Sequence, residues 1–256
     1  MSSYGLFAQY YDALTTDISY PARAAYFHSL IHKHLAKPLS EPVLDLACGT
    51  GSLTVALAAL GFDMIGVDAS ADMLAVAMGK PTQSENPILF LRQRMEQLDL
   101  FGTIDACVCA LDSLNHLPGP EALEKAISRV SLFLSPGGVF VFDMNTPYKH
   151  QAVLGDNTFV YEHGSMLCLW RNAYSAVAHK DGPLHKVDIS LDFFEKEKDG
   201  RYRRTGEAFA EYAYDTAAVE NMLAACGLTL VAVYAADTTD PPAADTQRLV
   251  YVATKQ

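Results

Sequence analysis

The most constraining feature of the sequence is the stretch EPVLDLACGTGSLTVALAALG, residues 41–61, in which an apolar strand pattern passes through glycines into a helix pattern. Gly49 and Gly51 lie where the predicted strand ends and the predicted helix begins. Glycines at such a junction allow a ligand to approach the backbone, and the helix N-terminus offers unpaired N–H groups. The stretch therefore predicts an α/β sheet with a ligand site beyond the carboxyl end of its first strand.

The same alternation of strand and helix continues along the chain. Apolar segments predict five strands, PVLDLA, FDMIGVD, PILFLRQ, IDACVCAL and GGVFVFDM, separated by predicted helices over 52–60, 71–79 and 119–134 and preceded by one over 21–37. A helix over 217–225 and the strands LTLVAVYAA and RLVYVATK close the chain. Short apolar strands that alternate with helices are typical of a doubly wound, mostly parallel sheet covered on both faces.

Residues 148–214 interrupt this rhythm. They contain longer, partly alternating segments separated by KDGP and KDGR, and Asp-Gly is a hairpin signal. We therefore predict an antiparallel β insertion of three or four strands over 148–214, within a domain formed by residues 1–147 and 215–256.

Composition narrows the class of partner. Half of the 256 residues are hydrophobic and the net charge is −11, which fits a small neutral or cationic molecule better than a nucleic acid. No apolar run approaches the roughly 18 residues that span a bilayer, and the N-terminus lacks the pattern of a signal peptide, so we expect no membrane and a cytoplasmic location. Cys107 and Cys109 lie in an apolar strand and predict buried thiols rather than a metal site.

Two carboxylates and a missing glycine indicate the kind of cofactor. Asp68 ends the second predicted strand, 17 residues after Gly51, where an acid suits the hydroxyls of a ribose. The dinucleotide fingerprint requires a third glycine where this chain has Thr54, and Asp45 would repel a pyrophosphate. The pattern favours a nucleoside cofactor with a positively charged end, such as S-adenosylmethionine, over NAD.

Together these segments resemble a known family. The resemblance lies in the segments VLDLACGTG, VDASADML, FLRQRMEQLDL, ALDSLNHL and LSPGGVFVFDMNTP. The chain is similar to the class I, seven-strand S-adenosylmethionine-dependent methyltransferases over roughly residues 4–147 and 215–254. The N-terminal FAQYYDALTTDISY resembles the small-molecule members, in which this segment closes over the cofactor. The resemblance implies a seven-strand Rossmann-like sheet and S-adenosylmethionine as the methyl donor.

The resemblance also implies a set of cofactor-binding residues. Those expected at the methionine and reactive ends are Tyr11, Asp45, Ala47, Gly49, Gly51, Leu111, Asp112 and Ser113, and those expected at the ribose and adenine are Asp68, Ala69, Met73, Met95 and Glu96. Arg94 stands where many relatives have an acid for the adenine amino group, so either Glu96 substitutes for that acid or the contact is absent.

The methyl acceptor is less constrained. An amine acceptor needs only to lose its proton, whereas a hydroxyl needs a general base, and we take Asp112 and His116 as the candidate catalytic residues. ALDS after the fourth strand is unlike the NPPY type that methylates the amino groups of bases or glutamine. We expect transfer to N or O of a small molecule, without a metal, by a monomer or homodimer. The alternatives are a protein or RNA methyltransferase and a non-catalytic S-adenosylmethionine-binding module.

The insertion over 148–214 needs a role of its own, because residues before 115 account for the cofactor. We expect it to cover the acceptor site above Asp112, with Trp170 and Arg171 as candidate substrate-binding residues. Dimerisation is the competing role, since strands with aromatic faces also form interfaces.

Overall fold

The structure is a computed structural model that describes residues 18–82, 84, 86–179 and 182–256. Its strands are β1 (Val43–Leu46), β2 (Met64–Asp68), β3 (Leu89–Arg92), β4 (Ile104–Cys109), β5 (Leu134–Asn145), β6 (Thr158–His163), β7 (Met166–Val177), β8 (Leu184–Lys196), β9 (Tyr202–Ala213), β10 (Leu228–Ala235) and β11 (Arg248–Lys255). Its α-helices are α1 (Tyr20–His34), α2 (Ser52–Ala59), α3 (Ala71–Met78), α4 (Pro120–Phe133) and α5 (Thr216–Ala225). Met95–Gln97 and Ser113–His116 form 3₁₀ turns, and Lys149–Leu154 forms a π-helix.

Seven strands form the central sheet, in the order β10-β11-β5-β4-β1-β2-β3. The five strands from β3 to β5 are parallel, whereas β11 pairs antiparallel with both β5 and β10. The sheet confirms the predicted doubly wound, mostly parallel fold and its closing antiparallel pair. Since the order reverses between β1 and β4, a crevice opens at the carboxyl ends of these strands.

The central strands are buried on both faces, which explains their continuous apolar sequences. On one face of the central sheet, Leu44, Cys107 and Phe140 belong to one apolar core. On the other face, Val43 and Val108 pack with α1 and α2 in a second core. Cys107 and Cys109 are fully buried and free, as predicted. Helix α1 ends at His34 rather than near residue 37, because the backbone turns extended at Leu35.

The insertion forms a separate antiparallel sheet in the order β6-β7-β8-β9, which confirms the predicted architecture. Six of its buried apolar residues, Met166, Cys168, Val187, Ile189, Leu191 and Phe193, form one cluster with Met73 of α3. The sheet is therefore anchored on the helix that follows β2, at the carboxyl edge of the central sheet. Within the described ranges, no helix is both long and apolar enough to cross a membrane.

Candidate active site

A cavity of about 780 Å³ lies at the carboxyl ends of the central strands, beneath the insertion sheet. Residues that follow β1, β2 and β4 line one part of it, among them Ala47, Gly49, Asp68, Ala69, Met73, Leu111, Asp112 and Ser113. Residues of the π-helix, the insertion and β11 line another part, among them Lys149, Leu154, Trp170, Phe209, Glu211 and Arg248. Tyr11 lies outside the described residues.

Asp68 lies at the end of β2, beside the glycine loop. Its Oδ2 accepts a hydrogen bond from the N–H of Gly49 at 2.9 Å, and its Oδ1 accepts one from the N–H of Ser70 at 2.8 Å. Ser70, not Asp68, caps α3, because its hydroxyl accepts from the N–H of Met73 at 3.3 Å. Burial raises the pKa of Asp68, against the effect of these hydrogen bonds. A carboxylate has about four acceptor positions, so these hydrogen bonds, with a further backbone contact from Ala69, still leave acceptor capacity for a hydroxyl of a ligand.

The two glycines of the loop have different roles. A Cβ at Gly49 would meet nothing within 4 Å, and its φ of +54° favours glycine, so its open side leaves room for a ligand. A Cβ at Gly51 would lie 2.8 Å from the Cβ of Ala77. Gly51 does not line the cavity, and its lack of a side chain allows α2 to pack against α3.

Asp45 lies below this loop, inside β1. It is 2 % exposed, and its Oδ2 accepts a hydrogen bond from the Thr54 hydroxyl at 2.6 Å. Burial raises the pKa of Asp45 to about 7, with a smaller contribution from Asp68 and an opposing one from the Thr54 hydrogen bond. Asp45 lines a small adjoining cavity together with Ala47 and Gly49, rather than the main cavity. A cationic group placed there would favour the charged carboxylate.

Met95 and Glu96 lie in the 3₁₀ turn after β3 and line the cavity. The Nη2 of Arg94 is 3.0 Å from Oε1 of Glu96. The side chain of Arg94 is therefore paired with the acid predicted to substitute at the adenine. Ala69 and Met73 also line the cavity.

The loop after β4 has an unusual backbone. Leu111 and Asp112 are consecutive non-glycine residues with positive φ, +58° and +53°, and Ala47 after β1 has a φ of +62°. All three line the cavity. The fully buried Asp143 of β5 holds this conformation, because its carboxylate accepts from the N–H groups of Leu111 at 3.0 Å and Asp112 at 2.6 Å. Such backbone strain is typical of functional sites.

The carboxylate of Asp112 is fixed by two donors. Nη2 of Arg248 donates to its Oδ1 at 2.6 Å, and Nδ2 of Asn145 donates to its Oδ2 at 2.6 Å. Burial opposes the charge, but Arg248, Lys149 and His116 together with the Asn145 hydrogen bond lower the pKa of Asp112 to about 2. A carboxyl with so low a pKa is a weak base near neutral pH, which suits it to stabilise charge rather than to accept a proton.

His116 and the buried Glu211 lie beside this carboxylate. Nε2 of His116 is 3.6 Å from Oε1 of Glu211, and the His116 ring lies 5.1 Å from that of Phe209. Asp112, His116 and Glu211 bring potential metal-ligand atoms within 4.8 Å of one another. Arg248 and Asn145 already donate to the two Asp112 oxygens, and the Arg248 cation would oppose a divalent ion there.

The comparisons with known proteins agree with this geometry. A family model described as a methyltransferase domain matches residues 43–138. A protein of Geobacillus sp. strain WCH70, named as a methyltransferase, is 30 % identical to this chain. The match covers 99 % of this chain and 100 % of that protein. The chain belongs to the class I S-adenosylmethionine-dependent methyltransferases.

Two further similarities place this methyltransferase among its relatives. The crystal structure of an S-adenosylmethionine-dependent methyltransferase from Clostridium acetobutylicum ATCC 824 superimposes with a TM-score of 0.83 at 28 % identity, covering 98 % of each chain. A dTDP-3-amino-3,6-dideoxy-alpha-D-glucopyranose N,N-dimethyltransferase from Streptomyces fradiae is 33 % identical over 48 % of this chain and 46 % of its own. The cofactor of the methyltransferase is therefore S-adenosylmethionine, and the open side of Gly49 and the remaining acceptor capacity of Asp68 fit it.

The two residues of the insertion expected at the substrate point in different directions. Trp170 lines the cavity, and its Nε1 donates to Oδ1 of Asn172 at 2.6 Å. Arg171, the next residue on β7, forms an ion pair with Asp192 and is not among the residues that line the cavity. Neighbouring residues on a strand project to opposite faces, so only Trp170 is placed to meet a ligand there.

Several polar residues of this methyltransferase were not found from the sequence. Asn145 ends β5 at the carboxyl edge, so its place in the strand could have indicated it. Arg248 begins β11, and only the antiparallel direction of that strand brings it to the same edge. Lys149, His150 and Glu211 belong to the π-helix and the insertion, for which the sequence gives no register against the central sheet.

Proposed function

We propose that the methyltransferase transfers a methyl group to a nitrogen or oxygen atom of a small molecule bound beneath the insertion sheet. One observation carries the proposal: residues of the cofactor-binding half and of the insertion line a single cavity of about 780 Å³. A cavity of this size suits small molecules rather than a protein surface or a nucleic acid. The net charge of −11 also disfavours nucleic acid.

The cofactor half of the cavity would be held by residues already described. Asp68 would bind the ribose hydroxyls, the backbone at Gly49 would approach the methionine end, and Met73 and Met95 would border the adenine. Bound S-adenosylmethionine supplies an electrophilic methyl group on a sulfonium. The side chains of the chain itself would bind and orient the acceptor, and positioning contributes much of the acceleration in such displacements.

The acceptor would occupy the part of the cavity between the loop after β4 and the insertion sheet. Trp170, Phe209 and Leu154 provide an apolar wall there, and Asp112, His116 and Glu211 provide polar groups opposite. The insertion would thereby cover the acceptor and exclude water. The partial match to an amino-sugar N,N-dimethyltransferase supports nitrogen as one such acceptor atom.

Two measurements test the proposal. Calorimetry should detect S-adenosylmethionine binding with a Kd in the micromolar range, about −8 kcal/mol, and no comparable affinity for NAD. Incubation of the protein and labelled S-adenosylmethionine with a fractionated small-molecule extract should then label a small product. Binding without transfer to any fraction would favour a non-catalytic module, and label found only in protein or RNA would contradict a small-molecule acceptor.

A further inference from the structure

Glu211 is a carboxylate in an unusual environment. The residue is 3 % exposed, and within the described part of the chain no Lys or Arg nitrogen lies within 4.0 Å of its oxygens. Its neighbours are instead two imidazoles, those of His116 and His150, and the amide of Asn145, whose Nδ2 donates to Oε2 at 3.2 Å. Lys149 and Arg248 interact with this charge only from beyond that distance. Glu211 therefore has no direct Lys or Arg ion pair in the described structure, and a cationic ligand in the cavity could supply one.

His150 lies beside one oxygen of this carboxylate. The side chain of His150 is fully buried, and its Nδ1 lies 2.8 Å from the carbonyl oxygen of His185. Because a carbonyl only accepts hydrogen bonds, Nδ1 carries a hydrogen. Nε2 then faces Oε2 of Glu211 at 3.4 Å and is buried without a hydrogen-bond partner in the described structure.

The other oxygen of Glu211 points toward the cavity side of this pair. Its Oε1 is 3.6 Å from Nε2 of His116, a separation too long for a hydrogen bond between them. Nδ1 of His116 is buried without a hydrogen-bond partner in the described structure, which leaves Nε2 as the nitrogen available to a ligand. When the hydrogen of a neutral His116 lies on Nδ1, Nε2 and Oε1 are two acceptor atoms about 3.6 Å apart. One donor atom that carries at least two hydrogens can then reach both at about 2.9 Å.

This requirement distinguishes nitrogen from oxygen. A hydroxyl carries one hydrogen and satisfies one of the two acceptors, whereas an ammonium satisfies both and also matches the carboxylate charge. We propose that Glu211 and His116 bind the methyl acceptor through a protonated primary or secondary amine, and that Nε2 of His116 then takes a proton from it. The proposal rests on the small-molecule methyl transfer proposed above and names its acceptor class.

In the proposed step, one proton moves from the acceptor nitrogen to His116. An N–H bond of the acceptor breaks, its electron pair stays on the acceptor nitrogen as the nucleophilic lone pair, and the proton bonds to Nε2 of His116. Glu211 remains charged throughout and stabilises the imidazolium that forms, because the two groups are 3.6 Å apart. His150, on the opposite side of Glu211, keeps the carboxylate in position.

The other charged groups around this point are compatible with an ammonium. The charge of Asp112 is matched by Arg248, which also lies 3.6 Å from Asp143. Lys149 is the cation that could compete, but its Nζ donates to Oδ1 of Asn145 at 2.9 Å, and burial lowers its pKa. Trp170 and Phe209 line the neighbouring wall and suit the carbon skeleton of an amine.

The proposal can be tested on the full-length protein loaded with S-adenosylhomocysteine. The probes are benzylamine, benzyl alcohol and benzyltrimethylammonium, which share the same benzyl group. By calorimetry at pH 7.5, benzylamine should bind at least tenfold more tightly than either of the others. Benzyl alcohol controls for the charge, and benzyltrimethylammonium keeps the charge but has no N–H to donate. Equal binding of benzylamine and benzyl alcohol would overturn the amine assignment, and equal binding of the two cations would overturn the proton transfer.

Substitutions assign the preference to the two residues. Glu211→Gln should remove the preference for benzylamine over benzyl alcohol, and Asp188→Asn, an exposed carboxylate change on the neighbouring β8, should keep it. A preference that survives Glu211→Gln would overturn the proposal. If Glu211→Gln does not fold, His116→Asn carries the test, because its side chain is partly exposed, and an unchanged preference there has the same consequence. Failure of the wild type to bind S-adenosylhomocysteine would instead contradict the proposed function.

Discussion

Asp143 on β5 determines the backbone of Asp112 in the loop after β4, because Oδ1 of Asp143 accepts a hydrogen bond from the N–H of Asp112 at 2.6 Å. The same carboxylate lies 3.0 Å from Nη1 of Arg23 on α1 and 3.6 Å from Nη1 of Arg248 on β11. One buried acid thus links the helix after the N-terminal segment, the last strand and the loop beside the acceptor. In this conformation, with positive φ at Leu111 and Asp112, the Asp112 side chain reaches both Arg248 and Asn145.

We expect Asp143→Asn to lower the free energy of unfolding by about 3 kcal/mol, because it removes the buried carboxylate that pairs with Arg23 and lies near Arg248, which then keeps Asp112 as its partner. The matched control is Asp237→Asn, which changes the exposed second partner of Arg23. Exposed ion pairs contribute about 0–1 kcal/mol, so this control should change stability little. Urea unfolding of both variants measures the difference, and equal costs would contradict the role given to Asp143.

Asp68→Ala should weaken S-adenosylmethionine binding by about 1.5–3 kcal/mol, the range for hydrogen bonds to a charged group. The control is Asp63→Ala, an exposed acid just before β2 that is not among the residues lining the cavity. Calorimetry gives both affinities, and thermal unfolding reports the fold. Unchanged affinity with a lower Tm would mean that Asp68 serves only to hold the N–H groups of Gly49 and Ser70.

Much of the fold could be predicted from the sequence, because its signals are local. The strand and helix periods, the glycines after β1 and the Asp-Gly turns specify elements by their own residues, and the observed sheets follow them. The site was predicted less completely. Asp68 and Gly49 follow directly from their places after strands, but Glu211 meets Asp112 and Asn145 only through the packing of the insertion on the central sheet. No periodicity within one segment encodes that packing.

Gly51 illustrates a second limit. Its place in the loop predicts cofactor contact, and the space around it instead shows a close approach of two helices, with Ala77 2.8 Å from the added Cβ. A glycine needed for a ligand and one needed for packing look the same in a sequence. Likewise, Arg171 differs from Trp170 only in the face of β7 to which it belongs, and the sequence alone does not fix that face.

Trp170→Ala should weaken the binding of benzylamine to the protein loaded with S-adenosylhomocysteine by about 2 kcal/mol, as is common for aromatic residues that form the wall of a binding site. Affinity for S-adenosylhomocysteine should not change. Arg171→Ala is the control, because Arg171 pairs with Asp192 away from the cavity, and it should stay within about 0.5 kcal/mol. If both substitutions act equally, the wall assigned to Trp170 is wrong.

The pH dependence of stability offers a test of Asp45. Burial raises the pKa of this carboxyl from 3.8 to about 7 in the folded protein. Between these two values the folded state binds more protons than the unfolded state, so this group lowers the free energy of unfolding as the pH rises, and the loss is complete above pH 7. Asp45→Asn removes that loss. Without cofactor, the variant should be more stable than the wild type at pH 8, by about 2 kcal/mol or more, and the difference should disappear toward pH 4.

If Asp45 contacts the cationic end of the cofactor, bound cofactor should make the wild type more stable than Asp45→Asn. A positive group beside the carboxylate favours the ionised form and offsets the cost of burying it. Saturating S-adenosylmethionine should therefore stabilise the wild type more than Asp45→Asn at pH 8, and less of this advantage should remain at pH 6, where Asp45 is largely protonated in the free protein. Urea unfolding at both pH values, with and without S-adenosylmethionine, gives the difference in unfolding free energy between the wild type and Asp45→Asn under each of the four conditions. An equal gain for both proteins at pH 8 would show that the ligand does not sense this charge, and Asp45 would then be a structural partner of Thr54 alone.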